Sequence, residues 1–348
     1  MIDFRYHLVS IVAVFLALAI GIVLGSTSEA RNGALALLQQ SSNSLKNELN
    51  ATQAKSDAYQ AQAGAQEQFL QTAEPRLLAR LLDGESIVIV TEPGAQGSVV
   101  DGVKKAAALA GATVTGEVAL QPKFNDISAA NTSSLSSINN SIASTTGTVL
   151  DNGSDSRTSY QQQAAQLIAT AILSKTVIQP GLTTADPQTL LSYYAQAGYL
   201  TVGTARVSRP AQLAVVVTPQ AAPTDGPDDP ANQVLLAVAQ EFAGASAATV
   251  VAGGMSGSAQ PGSAISVVRS SSISGQVSTV DDADTTLGEI TVVQALAALV
   301  AGGKPNSYGI SGASAVTPVP MPSASAPASA TTTPSATPTA TGKAGQKK

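Results

Sequence analysis

The sequence contains no cysteine and only one histidine, His7. Without cysteine there are no disulfides, no thiolate nucleophiles and no cysteine-ligated zinc or iron–sulfur sites. Because the one histidine lies just before a hydrophobic run, the body of the chain cannot form a Ser-His-Asp triad or a histidine-rich metal site. Three scattered methionines, Met1, Met255 and Met321, do not make a thioether copper site. Only oxygen ligands remain for a metal within one chain.

Basic and aromatic residues are also scarce. The formal net charge is −5, tryptophan is absent and aromatic residues make up 3% of the chain. Nucleic-acid binding needs a basic surface, and single strands also need stacking platforms. We therefore expect no nucleic-acid partner.

The longest uncharged run covers residues 8–25 and reads LVSIVAVFLALAIGIVLG. As a helix it is ~27 Å long, at the short end for crossing a bilayer core. We predict a single-pass transmembrane anchor at 8–25. Residues 1–7 would be cytoplasmic, since Arg5 and the α-amino group outweigh Asp3, and the bulk of the chain would be extracytoplasmic. A cleaved signal peptide with its site near residues 28–30 is the alternative.

Residues 29–83 have helix-forming composition, and alternating steps of four and three indicate a coiled coil. Pro75 is expected to kink or break this helix, and Asp83-Gly84 to end it. The seam is apolar at both ends and polar in its middle. Since a helix that is polar all round would be unstable alone and the anchor would hold two copies parallel in one membrane, we expect a parallel homodimer; the alternative is a solvated spacer helix lying on its own domain. The seam positions are Leu38, Ser42, Leu45, Leu49, Thr52, Ser56, Tyr59, Ala63, Gln66, Leu70, Ala73 and Leu77.

Residues 84–312 alternate strand-like and helix-like segments, which predicts an α/β domain: doubly wound, Rossmann-like, with five or six mainly parallel strands. Residues 121–156 are rich in Ser, Asn and Thr and are expected to be irregular, with little helix. Residues 313–348, rich in Pro, Ser, Ala and Thr, are expected to form a disordered tail. Strands are predicted at 86–91, 113–120, 199–204, 213–218, 248–252, 264–269 and 276–280, and helices at 99–110, 158–174, 187–198, 231–244 and after 280.

Nucleotide-binding loops are not supported by any motif. The segment Glu92–Gly97 follows a strand but is not G-x-G-x-x-G, and Glu92 would repel phosphate. Gly302-Gly303-Lys304 follows a helix, so it is not a Walker loop. The loop 253–258 is correctly placed after a strand but matches no motif. We therefore predict no bound cofactor.

The segment TVDDADTTLGEI, residues 279–290, is the densest acidic cluster. Asp281, Asp282 and Asp284 are weak metal candidates, because an EF-hand loop starting at Asp282 lacks the required Gly and Glu. The pattern is better explained as a strand followed by a helix that begins with a capping box at residues 286–289. Acidic residues ahead of a helix N-terminus are stabilised by its dipole.

Two stretches carry a family resemblance: MIDFRYHLVSIVAVFLALAIGIVLGS at the N-terminus and residues 278–309. They resemble the actinobacterial MctB-like copper transporter family, SteB-like envelope proteins included. The resemblance covers residues 1 to about 312. It implies a role in copper homeostasis, with a proposed outer-membrane channel, or in envelope remodelling beside a partner membrane protein. Copper as a ligand is implied by this resemblance alone.

Two hypotheses follow. The chain is either a membrane-anchored, dimeric, non-catalytic module that positions or regulates envelope or division machinery, or a copper homeostasis or efflux factor within a transport assembly. A carboxylate-dependent hydrolase is a third reading with less support. The apolar strands separated by helices do not match the alternating strands of a transmembrane barrel.

Overall fold

The computed structural model describes residues 4–25, 28–150, 158–176, 187–203, 207, 209–220, 226–255 and 260–318. The chain divides into two compact units, Met1–Gln68 and Phe69–Lys348. Most of the predicted C-terminal tail, residues 319–348, lies outside the described residues. Ala315 bridges Tyr308, so the described chain keeps contact with the second unit beyond residue 312.

The first unit contains helix α1 (Phe4–Gly25) and most of helix α2 (Ser28–Leu78). Along α1 the large apolar side chains are exposed, among them Phe15 (67%) and Val23 (65%). No helix in the described part of the chain qualifies as a candidate membrane span. The predicted anchor at 8–25 is therefore not confirmed.

Pro75 was predicted to kink or break the helix, and helix α2 does not break there but continues through Pro75 to Leu78. Leu78 is fully buried and Leu82 is 1% exposed, and this packing holds the turn after the proline in place despite the lost amide hydrogen bond. In the second unit, Leu70 and Leu77 pack partly against the core. The C-terminal end of the predicted heptad seam is thus used within the α/β unit.

The second unit is built on a mostly parallel sheet, with seven strands in the described ranges. Their order across the sheet is β3-β2-β1-β4-β5-β6-β7. Every neighbouring pair is parallel except β2 and β3. The strands are β1 (Ser86–Thr91), β2 (Thr113–Leu120), β3 (Leu200–Val202), β4 (Leu213–Val217), β5 (Ala248–Ala252), β6 (Ser278–Val280) and β7 (Ser307–Tyr308).

Helices cover both faces of this sheet. They are α3 (Gly97–Leu109), α4 (Ala129–Thr146), α5 (Ser159–Ile172), α6 (Pro187–Gln196), α7 (Pro230–Ala245), α8 (Ala264–Ser270) and α9 (Thr286–Val300). On one face, α3, α9 and the end of α2 pack against the odd-numbered side chains of β1, such as Ile87 and Ile89. On the other face, α4 to α8 pack against Val88 and Val90. Strands buried on both faces explain why β1, β4 and β5 read as continuous apolar runs.

Two predicted segments differ from the structure. The stretch 121–156, expected to be irregular, contains α4, whose N-cap Ser128 accepts a hydrogen bond from the Asn131 amide. Along α4 the hydroxyls bond back to carbonyls one turn earlier, as Ser141 Oγ does to Ser137 O at 3.0 Å, so the Ser-rich composition does not break the helix. The predicted strand 264–269 is helix α8, because a short apolar run does not distinguish the two periods.

The order in which successive strands are added to the sheet reverses between β1 and β4. From β1 the sheet extends to β2 on one side, and from β4 it extends through β5 to β7 on the other. In parallel α/β sheets, ligands bind in the crevice at the carboxyl ends of the strands where this reversal occurs. The segments that follow β1 and β4 are therefore the first place to examine for a site.

Candidate functional site

Asp281, at the end of β6, is fully buried and paired with Arg269 of α8. Its Oδ2 lies 2.8 Å from Arg269 Nη1. The Ile310 amide donates to Oδ1 at 2.7 Å and the Ser311 amide to Oδ2 at 3.0 Å. Both oxygens of this predicted metal candidate are thus engaged in joining β6, α8 and the segment after β7.

Arg269 completes this network with its remaining donors. It donates to Thr279 Oγ1 at 2.9 Å, to the Tyr308 carbonyl at 2.8 Å and to the Ser311 carbonyl at 2.6 Å. A guanidinium with this many fixed partners is a structural anchor. Its charge is already matched by Asp281.

The other two metal candidates have separate surroundings. Asp284 Oδ1 accepts a hydrogen bond from the Met255 amide at 2.9 Å. Asp282 is fully buried, and neither of its side-chain oxygens has a hydrogen-bond partner among the described residues. Burial, and then the nearby Asp281 charge, raise the pKa of Asp282 to about 6. Within the described ranges, no group of three or more His, Cys, Asp or Glu side chains is placed to hold a metal ion.

The helix after this cluster begins one residue earlier than the capping-box pattern predicts. Thr285, not Thr286, is the N-cap of α9, and its side chain accepts from the Gly288 amide at 3.1 Å. Glu289 therefore lies one position beyond the capping-box position, and the prediction of a reciprocal box at 286–289 is wrong. The expectation of a strand followed by a helix is confirmed.

Gly288 explains why the cap is shifted. A Cβ at Gly288 would lie 1.9 Å from the Asp282 carbonyl oxygen. That carbonyl also accepts the Thr285 amide and hydroxyl, both at 2.9 Å. The first turn of α9 is therefore pressed against the Asp282 backbone, and glycine is the residue that this approach permits.

The loop at 253–258, the best-placed phosphate cradle in the sequence, is described only to Met255. A Cβ at Gly254 would lie 3.1 Å from Asp284 Oδ2. A carboxylate therefore occupies the space in front of this glycine, which is unfavourable for an anion. The segment 302–304 follows α9, with Gly302 at φ 85°, and serves as its C-terminal turn.

The crevice between the ends of β1 and β4 is closed. Ala95 forms a β-bridge with Pro219, and the Gln220 amide approaches the Gly94 carbonyl at 3.4 Å. Beneath this bridge lies a cavity of about 30 Å³. It is lined by Glu92, Pro93, Asn125, Pro219, Ala231, Asn232, Leu235 and Ala264.

Glu92 is the chemically distinctive residue of this cavity. It is 3% exposed, and neither carboxylate oxygen meets a hydrogen-bond partner within the part of the chain that the structure describes. Burial raises the pKa of Glu92 to about 7, and the neighbouring Asn125 amide opposes this shift without reaching hydrogen-bond geometry. Asn232 Nδ2 is committed to the Gly226 and Gly262 carbonyls, both at 2.9 Å. Glu92 is thus a buried acid poised near neutral pH.

Sequence reasoning treated Glu92 only as a residue that would repel phosphate. Its role at the switch point was missed because the enclosing groups come from distant parts of the chain, such as Asn125 and Asn232. One local signal was available: a charged residue directly after the fully apolar run of β1.

Comparison with known proteins shows the family of this chain. The model of the family described as "Copper transport outer membrane protein, MctB" matches residues 1–318. The chain belongs to this family. The resemblance seen in the N-terminal stretch and in residues 278–309 is thereby confirmed.

Relatives in this family are similar over nearly their whole length. A protein named Copper transporter MctB from Mycobacterium tuberculosis (strain ATCC 25618 / H37Rv) is 32% identical over 320 residues, which cover 91% of this chain and 99% of that protein. The protein of the same name from Mycobacterium leprae (strain TN) is 30% identical over 326 residues, with the same coverage. The names of these relatives refer to copper transport.

Proposed function

We propose that this protein is a single-pass, membrane-anchored envelope protein that contributes to copper homeostasis as a dimeric, non-catalytic interaction module. In this proposal the chain regulates or positions partner proteins and does not itself hold the copper ion. The family description and the names of the mycobacterial relatives support the copper-related and envelope parts.

The observation that carries the proposal is the engagement of two of the three candidate acids, while the third, Asp282, is fully buried and has no second acid free beside it. Asp281 is held by Arg269 and two backbone amides, and Asp284 accepts the Met255 amide. The sequence has no cysteine and one histidine, the ligands that copper prefers. Copper-related function is therefore better assigned to contacts with other proteins than to a metal site of this chain.

The closed crevice supports a non-catalytic role. Small-molecule sites occupy several hundred cubic ångströms, whereas the cavity beside Glu92 has about 30 Å³. A cavity of that size holds little more than a water-sized group beside the carboxylate.

The exposed leucines of α2 support self-association. Leu38, Leu45 and Leu49 are 67%, 68% and 67% exposed, and they occupy alternating seam positions of one helix face. A second copy would bury this face in a parallel coiled coil. The anchor is supported by α1, a helix of 22 residues whose exposed side chains are largely apolar.

The dimer is tested by chemical cross-linking of two differently tagged copies in the same membrane, with a reagent that does not require cysteine. Leu45→Asp combined with Leu49→Asp should abolish the cross-linked species, because two charges would be buried in the seam. Asn47→Asp, on the opposite face of the same helix, serves as the control and should cross-link like the wild type. Equal cross-linking of the double variant and the control would refute the dimer.

A second candidate function is direct participation in copper transport, favoured by the family description and the relatives' names. The two candidates differ in what the purified full-length chain does. Calorimetric titration with copper should give no binding heat at micromolar metal if the chain is an interaction module, and pull-down from membranes should recover an envelope membrane protein. Saturable copper binding together with loss of copper tolerance on deletion would establish the second candidate.

A further inference from the structure

The buried carboxylate of Glu92 has no hydrogen-bond donor within the described part of the chain. Its carboxylate is buried at the switch point of the sheet, and no donor from the described chain meets hydrogen-bond criteria at either oxygen. Buried polar groups are normally satisfied, and an ionised carboxylate without a partner is especially unfavourable. The cavity beside it has room for one small group, since a water-sized species needs roughly 10–15 Å³ of such space.

The charges of the enclosing elements favour a positive guest. The cavity is enclosed by the 3₁₀ turn Pro122–Asn125, the first turns of α7 and α8, and the segments after β1 and β4. Among the described residues of these elements and of their direct flanks, the ionisable groups are Glu92, Lys123, Asp126, Asp228, Asp229, Glu241 and Arg269. Five of the seven are acids.

The two basic side chains and the N-terminus of α7 already have partners other than Glu92. Lys123 donates to the Ala197 carbonyl at 2.8 Å and lies over the Tyr199 ring, while Arg269 is paired with Asp281. At the start of α7, Asp229 caps the Ala231 amide at 2.9 Å, so a carboxylate offsets the positive end of that helix dipole. Within the described part of the enclosing elements, no side-chain cation is therefore left to pair with Glu92.

We infer that the switch-point cavity binds an ammonium group that carries N–H donors, either NH4+ or the –NH3+ head of a small amine, with Glu92 as its counter-ion. An ammonium group brings only donors and a single positive charge, which matches a buried carboxylate that the neighbouring Asn125 amide does not reach with hydrogen-bond geometry. The group could arrive as the free ammonium ion or as the head of a small amine, and the cavity size limits what accompanies it. Binding requires the ionised carboxylate, so it should weaken as the pH falls below about 7, the pKa of Glu92.

The first test measures the unfolding temperature of the full-length chain in detergent at about one pH unit above that pKa. Ammonium chloride should raise it by about 3 °C over the same concentration of sodium chloride, whereas tetramethylammonium, which has no N–H donor, should match sodium. A rise with ammonium alone identifies the free ion, and a rise with methylammonium as well identifies an amine head group. Equal effects of ammonium and sodium, or of ammonium and tetramethylammonium, would overturn the inference.

A matched pair of variants ties the effect to this carboxylate. Glu92→Gln keeps the side-chain size and should lose the ammonium effect, while Glu85→Gln, at the other end of β1, should retain it. A Glu92→Gln protein that still responds to ammonium would contradict the assignment.

A measurement on the wild type keeps the test independent of how Glu92→Gln folds. Bound ¹⁵N-ammonium, shielded from solvent, should give a slowly exchanging proton signal that disappears as the pH is lowered through about 7. Absence of a bound signal above that pH, or its persistence well below it, would refute the site.

Discussion

Arg269 and Asp281 form a buried ion pair that ties helix α8 to the end of strand β6, with 2.8 Å between Nη1 and Oδ2. Asp281 is inaccessible to solvent and the Arg269 side chain is 12% exposed. Breaking such a pair leaves an uncompensated charge in the interior, which costs more than the intact pair contributes.

Asp281→Asn should therefore lower the free energy of unfolding by about 3 kcal/mol or more, because Arg269 loses its counter-charge while remaining enclosed. Urea denaturation of the full-length chain measures this. Asp101→Asn is the control: its side chain is 82% exposed, and the change should stay within about 0.5 kcal/mol. A near-neutral Asp281→Asn would mean that solvent reaches the pair.

The N-cap of α9 makes a separate prediction. Thr285→Ala should cost about 1 kcal/mol, because the Gly288 amide loses its acceptor, while Thr285→Ser should keep most of the stability. Thermal unfolding followed by circular dichroism distinguishes the two. If Thr285→Ala and Thr285→Ser unfold together, the hydroxyl does not cap the helix.

Gly288→Ala should be strongly destabilising, by about 2 kcal/mol or more, because its Cβ would meet the Asp282 carbonyl oxygen at 1.9 Å. Gly244 in α7 is the matched control, since no atom of the described chain lies within 4 Å of the corresponding Cβ apart from its chain neighbours and the backbone of its own helix. Gly244→Ala should be neutral or stabilising by up to about 1 kcal/mol. Both are read from denaturant midpoints.

The stability should fall as the pH rises from about 4.5 to about 7, the ordinary and raised pKa values of Glu92. The folded protein holds this proton more tightly than the unfolded chain, so the contribution is fully present below about 4.5 and is lost as the pH rises through about 7. The loss is on the order of 3 kcal/mol.

Denaturation of wild type and Glu92→Gln across this pH range isolates the effect, measured without ammonium. The variant should have the flatter profile. Asp282→Asn should flatten the wild-type curve in a lower window, between about 3.8 and about 6, because burial and Asp281 raise the pKa of Asp282. Parallel profiles for all three proteins would show that folding raises the pKa of neither acid.

The sheet was largely predictable, and the reasons lie in particular strands. Residues 86–91 and 248–252 form β1 and β5 as predicted, because strands buried on both faces leave an unbroken apolar run with polar or glycine-rich flanks. The two-residue strand β7 was not predicted, since it is too short to show any period. Helix α4 was not predicted because a Ser- and Thr-rich composition usually indicates irregular structure. In α4 the hydroxyls of these residues donate hydrogen bonds to carbonyls one turn earlier, so the helix persists.

The candidate site was predictable only in part. That residues 279–290 form a strand followed by a helix could be read locally, but the choice of Thr285 over Thr286 as cap depends on the close approach of Gly288 to Asp282. The Arg269–Asp281 pair and the enclosure of Glu92 depend on contacts between segments far apart in sequence. The hydrophobic periodicity of a single segment does not predict contacts of this kind.

The sheet ends in very short strands on both sides, three residues in β3 and two in β7. Such short edges offer few free backbone groups for another chain to extend. Copies at high concentration would therefore be protected from edge-to-edge aggregation, and β-strand addition is a poor route for any partner. Recognition would have to use side chains on helices and loops, so partner specificity should respond to single surface substitutions that leave the backbone unchanged.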